Sequence, residues 1–145
     1  MISKNIRETK KIAKIFLDKI LKIESSGKAL VVGLSGDLGA GKTAFTQAVA
    51  GHLNIKNKVG SPTFVIIKKY PLKKSKGYKF LFHLDAYRLK NERELLHLGW
   101  GEIIDNKEHL VFIEWPENVV KAIPLGTRFV HISHTKKGYR NFKFK

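Results

Sequence analysis

The sequence predicts an α/β fold in which helices flank a mixed, partly antiparallel central sheet. The first observation is an apolar run at 30–34 that ends in a glycine-rich segment and is followed by apolar residues at helical spacing over about 42–53. The second is a pair of strand-like runs, at 63–67 and 78–85, joined by a short loop that contains proline and glycine and predicts an antiparallel hairpin. The third is a continuous apolar run at 109–113, typical of a strand covered on both faces.

Two further helices accompany these strands. Apolar residues recur at helical spacing over 5–23, where Asn5 and Glu8 resemble a capping box. Asn91 is the predicted N-cap of a second helix over 92–98, and a glycine follows as its stop. We expect three leucines of this helix to face the core: Leu95, Leu96 and Leu98.

The carboxyl-terminal part of the chain completes the predicted sheet. Residues 102–104 form a loop or short helix, and Pro116 suits the first turn of a brief helix that ends at Ile123. The runs 127–133 and 139–144 alternate around a lysine- and glycine-containing turn. They predict a closing hairpin.

Composition limits the class of protein. We expect residues 1–145 to form a single domain, because this length suffices for one core and 43% of the residues are apolar. The 28 Lys and Arg against 12 Asp and Glu give a charge of +16, which attracts polyanions such as nucleotides or RNA. Because the lysines are spread along the chain, we interpret this charge as solvated surface in preference to a dedicated RNA-binding face.

Two absences in the sequence narrow the expectation further. The chain has no cysteine, which excludes disulfides and thiolate metal sites. It shows neither a signal-peptide pattern nor an apolar run of membrane-spanning length. We therefore expect a cytoplasmic protein that does not contact a membrane.

The segment 36–43 carries the pattern G-x-x-x-x-G-K-[ST] in full, the Walker A signature of a phosphate-binding loop. Its glycines allow backbone N–H groups to point inward at a polyphosphate. The Lys42 ammonium suits β- and γ-phosphates, and the Thr43 hydroxyl is a hard oxygen ligand for Mg²⁺. The strand before the loop and the helix after it argue against a chance match. The predicted nucleotide contacts of the loop are Asp37, Leu38, Gly39, Ala40, Gly41, Lys42 and Thr43.

Two carboxylates stand at the ends of apolar strands, where a phosphate loop needs an acidic partner for Mg²⁺. Asp85 closes the run 80–84, and Glu114 closes the run 110–113. We expect both to emerge at the same sheet edge as the phosphate loop. The predicted catalytic set is Lys42, Asp85 and Glu114, and the predicted metal ligands are Thr43, Asp85 and Glu114. The structural alternatives are a turn cap for Asp85 and an ion pair with a lysine for Glu114.

Four other side chains lie close to these motifs in sequence. Ser61 and Thr63 offer hydroxyls that either sense the γ-phosphate or cap a local proline turn. His83 lies two residues before Asp85 on the same face of a strand, where a packed or supporting imidazole is favoured over a catalytic one. Trp115 either contacts a partner or base, or fills the core.

The four motifs taken together resemble the TsaE family, also called YjeE. They are GDLGAGKT at 36–43, SPTF at 61–64, HLDAYRL at 83–89 and IEWPE at 113–117. Their order and spacing agree with the family over essentially the whole chain. The phosphate loop alone is unspecific, whereas the four motifs in this order are highly specific.

The resemblance implies a bacterial ATPase required for the threonylcarbamoyl modification of the adenosine next to the tRNA anticodon. It implies binding of ATP with Mg²⁺ and slow hydrolysis. The implied partner is the two-protein transferase core complex of the TsaB and TsaD type, which performs the transfer itself, and contact with tRNA is indirect or weak.

The resemblance also assigns positions to the nucleotide site. Thr43 and Glu114 match metal-site positions of the family, and Asp85 matches an acidic residue near metal and water. Thr9 matches a threonine of the first helix that lies near the nucleotide, and Arg140 is a late nucleotide contact. Thr63, in the SPTF motif, completes the predicted nucleotide contacts. Here the usual Gly-Arg pair of the family is interrupted by a tyrosine.

Two alternatives stay open at this point. One is a phosphate-loop kinase for a small acceptor, although the chain has no insertion of lid size. The other is a basic RNA-binding module that binds ATP incidentally. No arginine finger adjoins the motifs in sequence, so we expect slow turnover by the chain alone.

Overall fold

A computed structural model describes residues 1–56 and 66–145 of the chain, without the side chain of Lys74. In chain order the elements are β1 (Ile2–Ser3), α1 (Ile6–Ile20), β2 (Leu30–Ser35), α2 (Lys42–His52), β3 (Ile67–Ser75), β4 (Tyr78–Asp85), α3 (Glu92–His97), α4 (Trp100–Ile104), β5 (His109–Glu114), a 3-10 helix (Pro116–Ala122), β6 (Arg128–His134) and β7 (Arg140–Phe144).

The strands of the described residues form one mixed sheet in the order β1-β7-β6-β2-β5-β4-β3. Strand β2 is parallel to both β5 and β6, and β5 is parallel to β4. The antiparallel pairs lie toward the two edges, where β3 pairs with β4, β7 with β6 and β1 with β7. Both predicted hairpins and the predicted α/β class with a mixed sheet are confirmed. The four parallel strands consequently end at one sheet edge.

Each face of the sheet carries its own apolar core. Leu110 and Phe112 of β5 belong to the core that α1 and α2 cover, where the rings of Phe16 and Phe45 lie 5.6 Å apart. Val111 and Ile113 belong to the opposite core, which α3, α4 and the 3-10 helix cover. Because successive side chains of a strand point to opposite faces, the apolar run of β5 is buried on both sides, as its sequence predicts.

Helix α1 begins at its predicted cap. The Asn5 side chain accepts a hydrogen bond from the Glu8 N–H at 2.9 Å, which satisfies one of the unpaired donors of the first turn. The Glu8 carboxylate accepts a hydrogen bond from the Lys4 N–H at 2.7 Å, one residue upstream of the N–H that a standard capping box uses. The helix ends at Ile20, three residues before the predicted end.

The β3–β4 hairpin differs from its prediction at the turn. We expect a strand over 63–67 and a basic loop over 71–77, whereas β3 begins at Ile67 and continues to Ser75. The chain reverses at Lys76 and Gly77, both of which have positive φ. An irregular register between Pro71 and Ser75 on this edge strand accommodates the proline, which cannot donate to a ladder. Residues 63–65 of the predicted strand lie outside the described residues.

The prediction for the leucines of α3 is wrong for two of the three. Leu95 is fully buried, whereas Leu96 is 55% exposed and Leu98 is 42% exposed. Leu96 is rotated by about 100° from Leu95 and therefore faces away from the core, whereas Leu98 lies beyond the end of the helix as its C-cap. None of the described helices combines the length and apolar character that a transmembrane span requires.

This difference between neighbouring leucines is testable by mutation. Leu95→Ala should lower the free energy of unfolding by about 2–5 kcal/mol, because it removes buried methyl groups and leaves a cavity. Leu96→Ala should change it by no more than about 0.5 kcal/mol, since its side chain already contacts solvent. Urea denaturation of both variants measures the difference, and equal losses would contradict the burial described here.

Candidate functional site

The glycine-rich loop connects β2 to α2 at the carboxyl edge of the sheet. Gly36, Gly39 and Gly41 have φ values of 144°, 77° and 111°, conformations that side chains disfavour. At Gly36 the constraint is also spatial, because a Cβ would lie 2.2 Å from the Ile132 carbonyl oxygen of β6. The loop therefore packs directly against the neighbouring strand.

Lys42 is the first residue of α2 and is only 5% exposed. Its Nζ donates hydrogen bonds to the carbonyl oxygens of Gly36 at 2.6 Å and Asp37 at 2.8 Å. The ammonium also lies 4.3 Å from the ring centroid of Trp115. Burial lowers the pKa of Lys42, and the nearby carboxylates, with Glu114 the strongest, act in the opposite direction. The loop thus holds a desolvated cation.

Glu114 lies at the end of β5 and is 4% exposed. Its carboxylate accepts a hydrogen bond from the Thr43 hydroxyl, with oxygen separations of 3.2 and 3.3 Å. It also accepts from Nε2 of His83 on β4 at 2.8 Å. The predicted alternative for Glu114 was an ion pair with lysine, whereas the hydrogen bonds described here come from a threonine and a histidine.

Asp85 stands directly beside Glu114, because the two residues are partners in the β4–β5 register. Its Oδ1 accepts a hydrogen bond from the Tyr87 N–H at 2.9 Å, which is the turn cap that the sequence suggests. Asp85 also lines the same cavity as the phosphate loop. The structural and the functional interpretation of this aspartate are therefore compatible.

A cavity of about 400 Å³ joins these groups. It is lined by the loop, by both carboxylates and by two aromatic residues: Leu38, Gly39, Gly41, Lys42, Thr43, Ala44, Asp85, Tyr87, Glu114 and Trp115. Two predicted nucleotide contacts of the loop, Asp37 and Ala40, do not line this cavity. Ala40 is fully buried, and its N–H donates to the Asp37 carbonyl at 3.0 Å.

Thr9 and Arg140 border a second cleft of about 290 Å³ beside the loop, and Ala44 lines both cavities. Thr9 is fully buried, with its hydroxyl 2.8 Å from that of Ser3. Arg140 lies so close to the loop that a Cβ on Gly41 would be 2.9 Å from its Cζ. An arginine remote in sequence is thus adjacent to the motifs in space. Thr63, like Ser61, lies outside the described residues.

Two histidines of β6 contact the loop region, and the sequence did not predict these contacts. His131 Nδ1 lies 2.9 Å from the Ser35 hydroxyl, and His134 Nε2 lies 3.3 Å from the Gly39 carbonyl oxygen. No local motif marks this strand as a neighbour of the phosphate loop. Its parallel pairing with β2, which sets His131 beside Ser35, is not visible in a local pattern.

The oxygen donors at the cavity suit Mg²⁺ better than a softer metal. Thr43, Asp85 and Glu114 supply a hydroxyl and two carboxylates, which are hard ligands. Within residues 1–56 and 66–145 no three His, Asp or Glu side chains form a ready-made metal cage. This combination fits an ion held by few protein ligands together with phosphate and water, as Mg²⁺ commonly is.

A phosphate loop between a parallel strand and a helix, with carboxylates at the ends of neighbouring strands, defines the chain as a P-loop NTPase in fold. The family model of the threonylcarbamoyl adenosine biosynthesis protein TsaE matches residues 3–142. The chain therefore belongs to the TsaE family.

Individual relatives agree with this assignment. The tRNA threonylcarbamoyladenosine biosynthesis protein TsaE of Haemophilus influenzae is 32% identical over 124 residues, covering 86% of this chain and 75% of the relative. The protein of the same name from Bacillus subtilis is 38% identical over 120 residues, covering 83% and 68%. The crystal structure of Bacillus subtilis YdiB superposes with a TM-score of 0.75 at 28% identity, covering 99% of this chain and 82% of that one.

The packing of the loop against β6 yields a prediction about Gly36, the first glycine of the loop, with Gly77 of the β3–β4 turn as the control. Gly77→Ala should cost about 1–2 kcal/mol of unfolding free energy, because the positive φ strains an alanine although its Cβ meets open space. Gly36→Ala should cost on the order of 3 kcal/mol or more, since its Cβ also collides with a carbonyl oxygen. Thermal and urea unfolding give both values, and a smaller loss for Gly36→Ala would show that the loop does not pack this closely.

Proposed function

We propose that residues 1–145 act as one ATPase domain that binds ATP with Mg²⁺, hydrolyses it slowly and supports threonylcarbamoyl modification of tRNA. The observation that carries the proposal is the convergence of three groups on one cavity: the Lys42 ammonium, the Thr43 hydroxyl and the Glu114 carboxylate. Membership of the TsaE family supports the tRNA modification pathway.

In this proposal the loop and α2 bind the phosphates. The backbone N–H groups of 36–42 and the amino end of α2 supply fixed partial positive charge for a polyphosphate. When the nucleotide binds, Lys42 gives up its hydrogen bonds to the Gly36 and Asp37 carbonyls and donates hydrogen bonds to the β- and γ-phosphates instead. Because the ammonium is already desolvated, it forms strong charge-assisted hydrogen bonds to phosphate.

Thr43, Glu114 and Asp85 would hold Mg²⁺, which neutralises charge that develops on the phosphates. Their oxygens face the same cavity as Lys42, so one triphosphate can contact the ammonium and the metal ligands together. The two carboxylates also accept hydrogen bonds from an attacking water and orient it toward the γ-phosphate. Thr9, Thr63 and Arg140 are proposed as further nucleotide contacts.

We place the hydrolysis under control of a partner, the transferase core complex of the TsaB and TsaD type. The side chains of Leu38 and Tyr87 border the cavity and are exposed by 71% and 45%. An apolar rim of this kind supports closure by another protein, which excludes water from the reacting phosphate. The positive charge is spread over the chain, so contact with tRNA is proposed to be indirect or weak.

Removal of the loop cation tests nucleotide binding. Lys42→Ala should weaken ATP binding by at least about tenfold, because one charge-assisted contact to the phosphates contributes about 1.5–3 kcal/mol. Lys143→Ala is the matched control, since it removes the same charge from an exposed position of β7. Isothermal titration calorimetry at fixed salt compares the two variants. Equal weakening by both would mean that ATP responds to net charge and not to this loop.

Neutral isosteres of the carboxylates test hydrolysis. Glu114→Gln and Asp85→Asn should reduce turnover in the presence of the partner complex by about 100-fold, while ATP affinity at saturating Mg²⁺ changes much less. Phosphate release and calorimetry on the same preparations separate the two effects. Normal turnover in Lys42→Ala, Glu114→Gln and Asp85→Asn would refute the proposed site, and fast turnover of the native chain alone would refute control by a partner.

A further inference from the structure

The His83 imidazole is a fully buried polar group next to the proposed metal ligands. Its Nε2 lies 2.8 Å from Glu114 Oε2, and its Nδ1 has no hydrogen-bond partner among the described residues. An ionised carboxylate accepts hydrogen bonds and cannot donate, so Nε2 carries the hydrogen of this pair. The imidazole therefore makes one polar contact in the described structure, and that contact is with Glu114.

The backbone determines this contact. His83 is the register partner of Phe112, and Glu114 lies two residues further along β5, so both side chains point to the same face of the sheet. A buried carboxylate needs hydrogen bonds that replace lost hydration, and Glu114 receives them from Thr43 on one side and from His83 on the other. The histidine thus fixes the carboxylate from within the sheet.

We propose that His83 is a positioning residue that holds the Glu114 carboxylate in the orientation required for the magnesium complex of the nucleotide. This inference rests on the proposed function. A hydroxyl that binds a metal through its oxygen keeps its O–H, so Thr43 can still donate to Glu114, but Thr43 lines the cavity itself, whereas His83 is fully buried. His83 therefore supplies a hydrogen bond that keeps Glu114 in place, as partners behind metal ligands commonly do.

A histidine that merely fills the core would behave differently on mutation. His83→Leu keeps an apolar side chain at this site but removes the N–H donor, whereas His83→Gln retains an N–H donor of similar reach. His109 provides a matched control, because it is another buried imidazole, with Nδ1 2.8 Å from the Ile103 carbonyl oxygen. It lies at the opposite end of β5, about 16 Å from Glu114 along the strand.

Binding of a non-hydrolysable ATP analogue to the full chain, measured by calorimetry across a magnesium titration and in EDTA, tests the inference. His83→Leu should bind the analogue in EDTA as the native chain does, yet require at least about tenfold more Mg²⁺ for the magnesium-dependent gain in affinity. His83→Gln should recover most of this gain. His109→Leu should keep the native magnesium dependence even if it is less stable.

The possible failures can be told apart. If the native chain binds no analogue, or binds it without regard to Mg²⁺, the proposed function fails. If the native chain depends on Mg²⁺ and folded His83→Leu shows the same dependence, the role of His83 is refuted while the proposed function stands. An equal magnesium shift in His109→Leu would also overturn the inference.

A second measurement does not rely on the variants folding. Nitrogen-15 NMR of the native, nucleotide-free and magnesium-free chain reports which ring nitrogen of His83 carries hydrogen. The inference expects Nε2–H bonded to the carboxylate. Hydrogen on Nδ1 alone would remove the donor that fixes Glu114 and would overturn the proposal.

Discussion

The parallel register of β2, β5 and β4 is the constraint on which the site depends. Leu34 pairs with Glu114, and Glu114 pairs with Asp85, so three strands end level with one another where the phosphate loop begins. A slip of one residue in β5 would send the Glu114 side chain to the opposite face, away from Thr43 and His83. The apolar cores on both faces specify this register, because successive β5 side chains alternate between the two cores.

Buried charge is the second physical feature of the site. Lys42 and Glu114 are both almost excluded from solvent, which is costly unless each has partners. Loop carbonyls hydrogen-bond the ammonium, while a hydroxyl and an imidazole hydrogen-bond the carboxylate. Opposite charges that hydrogen bonds already hold in place need little rearrangement when a charged ligand binds.

Sequence patterns predicted the elements that depend on local chemistry. The glycine-rich loop between β2 and α2, the N-cap at Asn5 and the strand that ends in Glu114 each depend on a few adjacent residues, and the structure has all three where the sequence predicts them. The extension of β3 to Ser75 could not be predicted, because its pairing with β4 overrides a lysine- and proline-rich composition. The predicted burial of Leu96 was wrong for a related reason: helical spacing does not show how wide a face of the helix the core covers.

The positions of the candidate site residues could be predicted from the sequence, but their contacts could not. Carboxylates at strand ends indicated Asp85 and Glu114, and both line the cavity with Lys42. The bond from His83 to Glu114 depends on which strands are neighbours, and the approach of Arg140 to Gly41 depends on a strand that is remote in sequence. Contacts of this kind follow from sheet order, which no local pattern encodes.

The most direct test of this account is a crystal structure of the full chain with a non-hydrolysable ATP analogue and Mn²⁺, which anomalous scattering locates in place of Mg²⁺. The account predicts phosphates inside the 36–42 loop, and Mn²⁺ bound to the Thr43 hydroxyl and to at least one oxygen of Glu114 or Asp85. A nucleotide bound outside this loop, or Mn²⁺ distant from all three side chains, would contradict it.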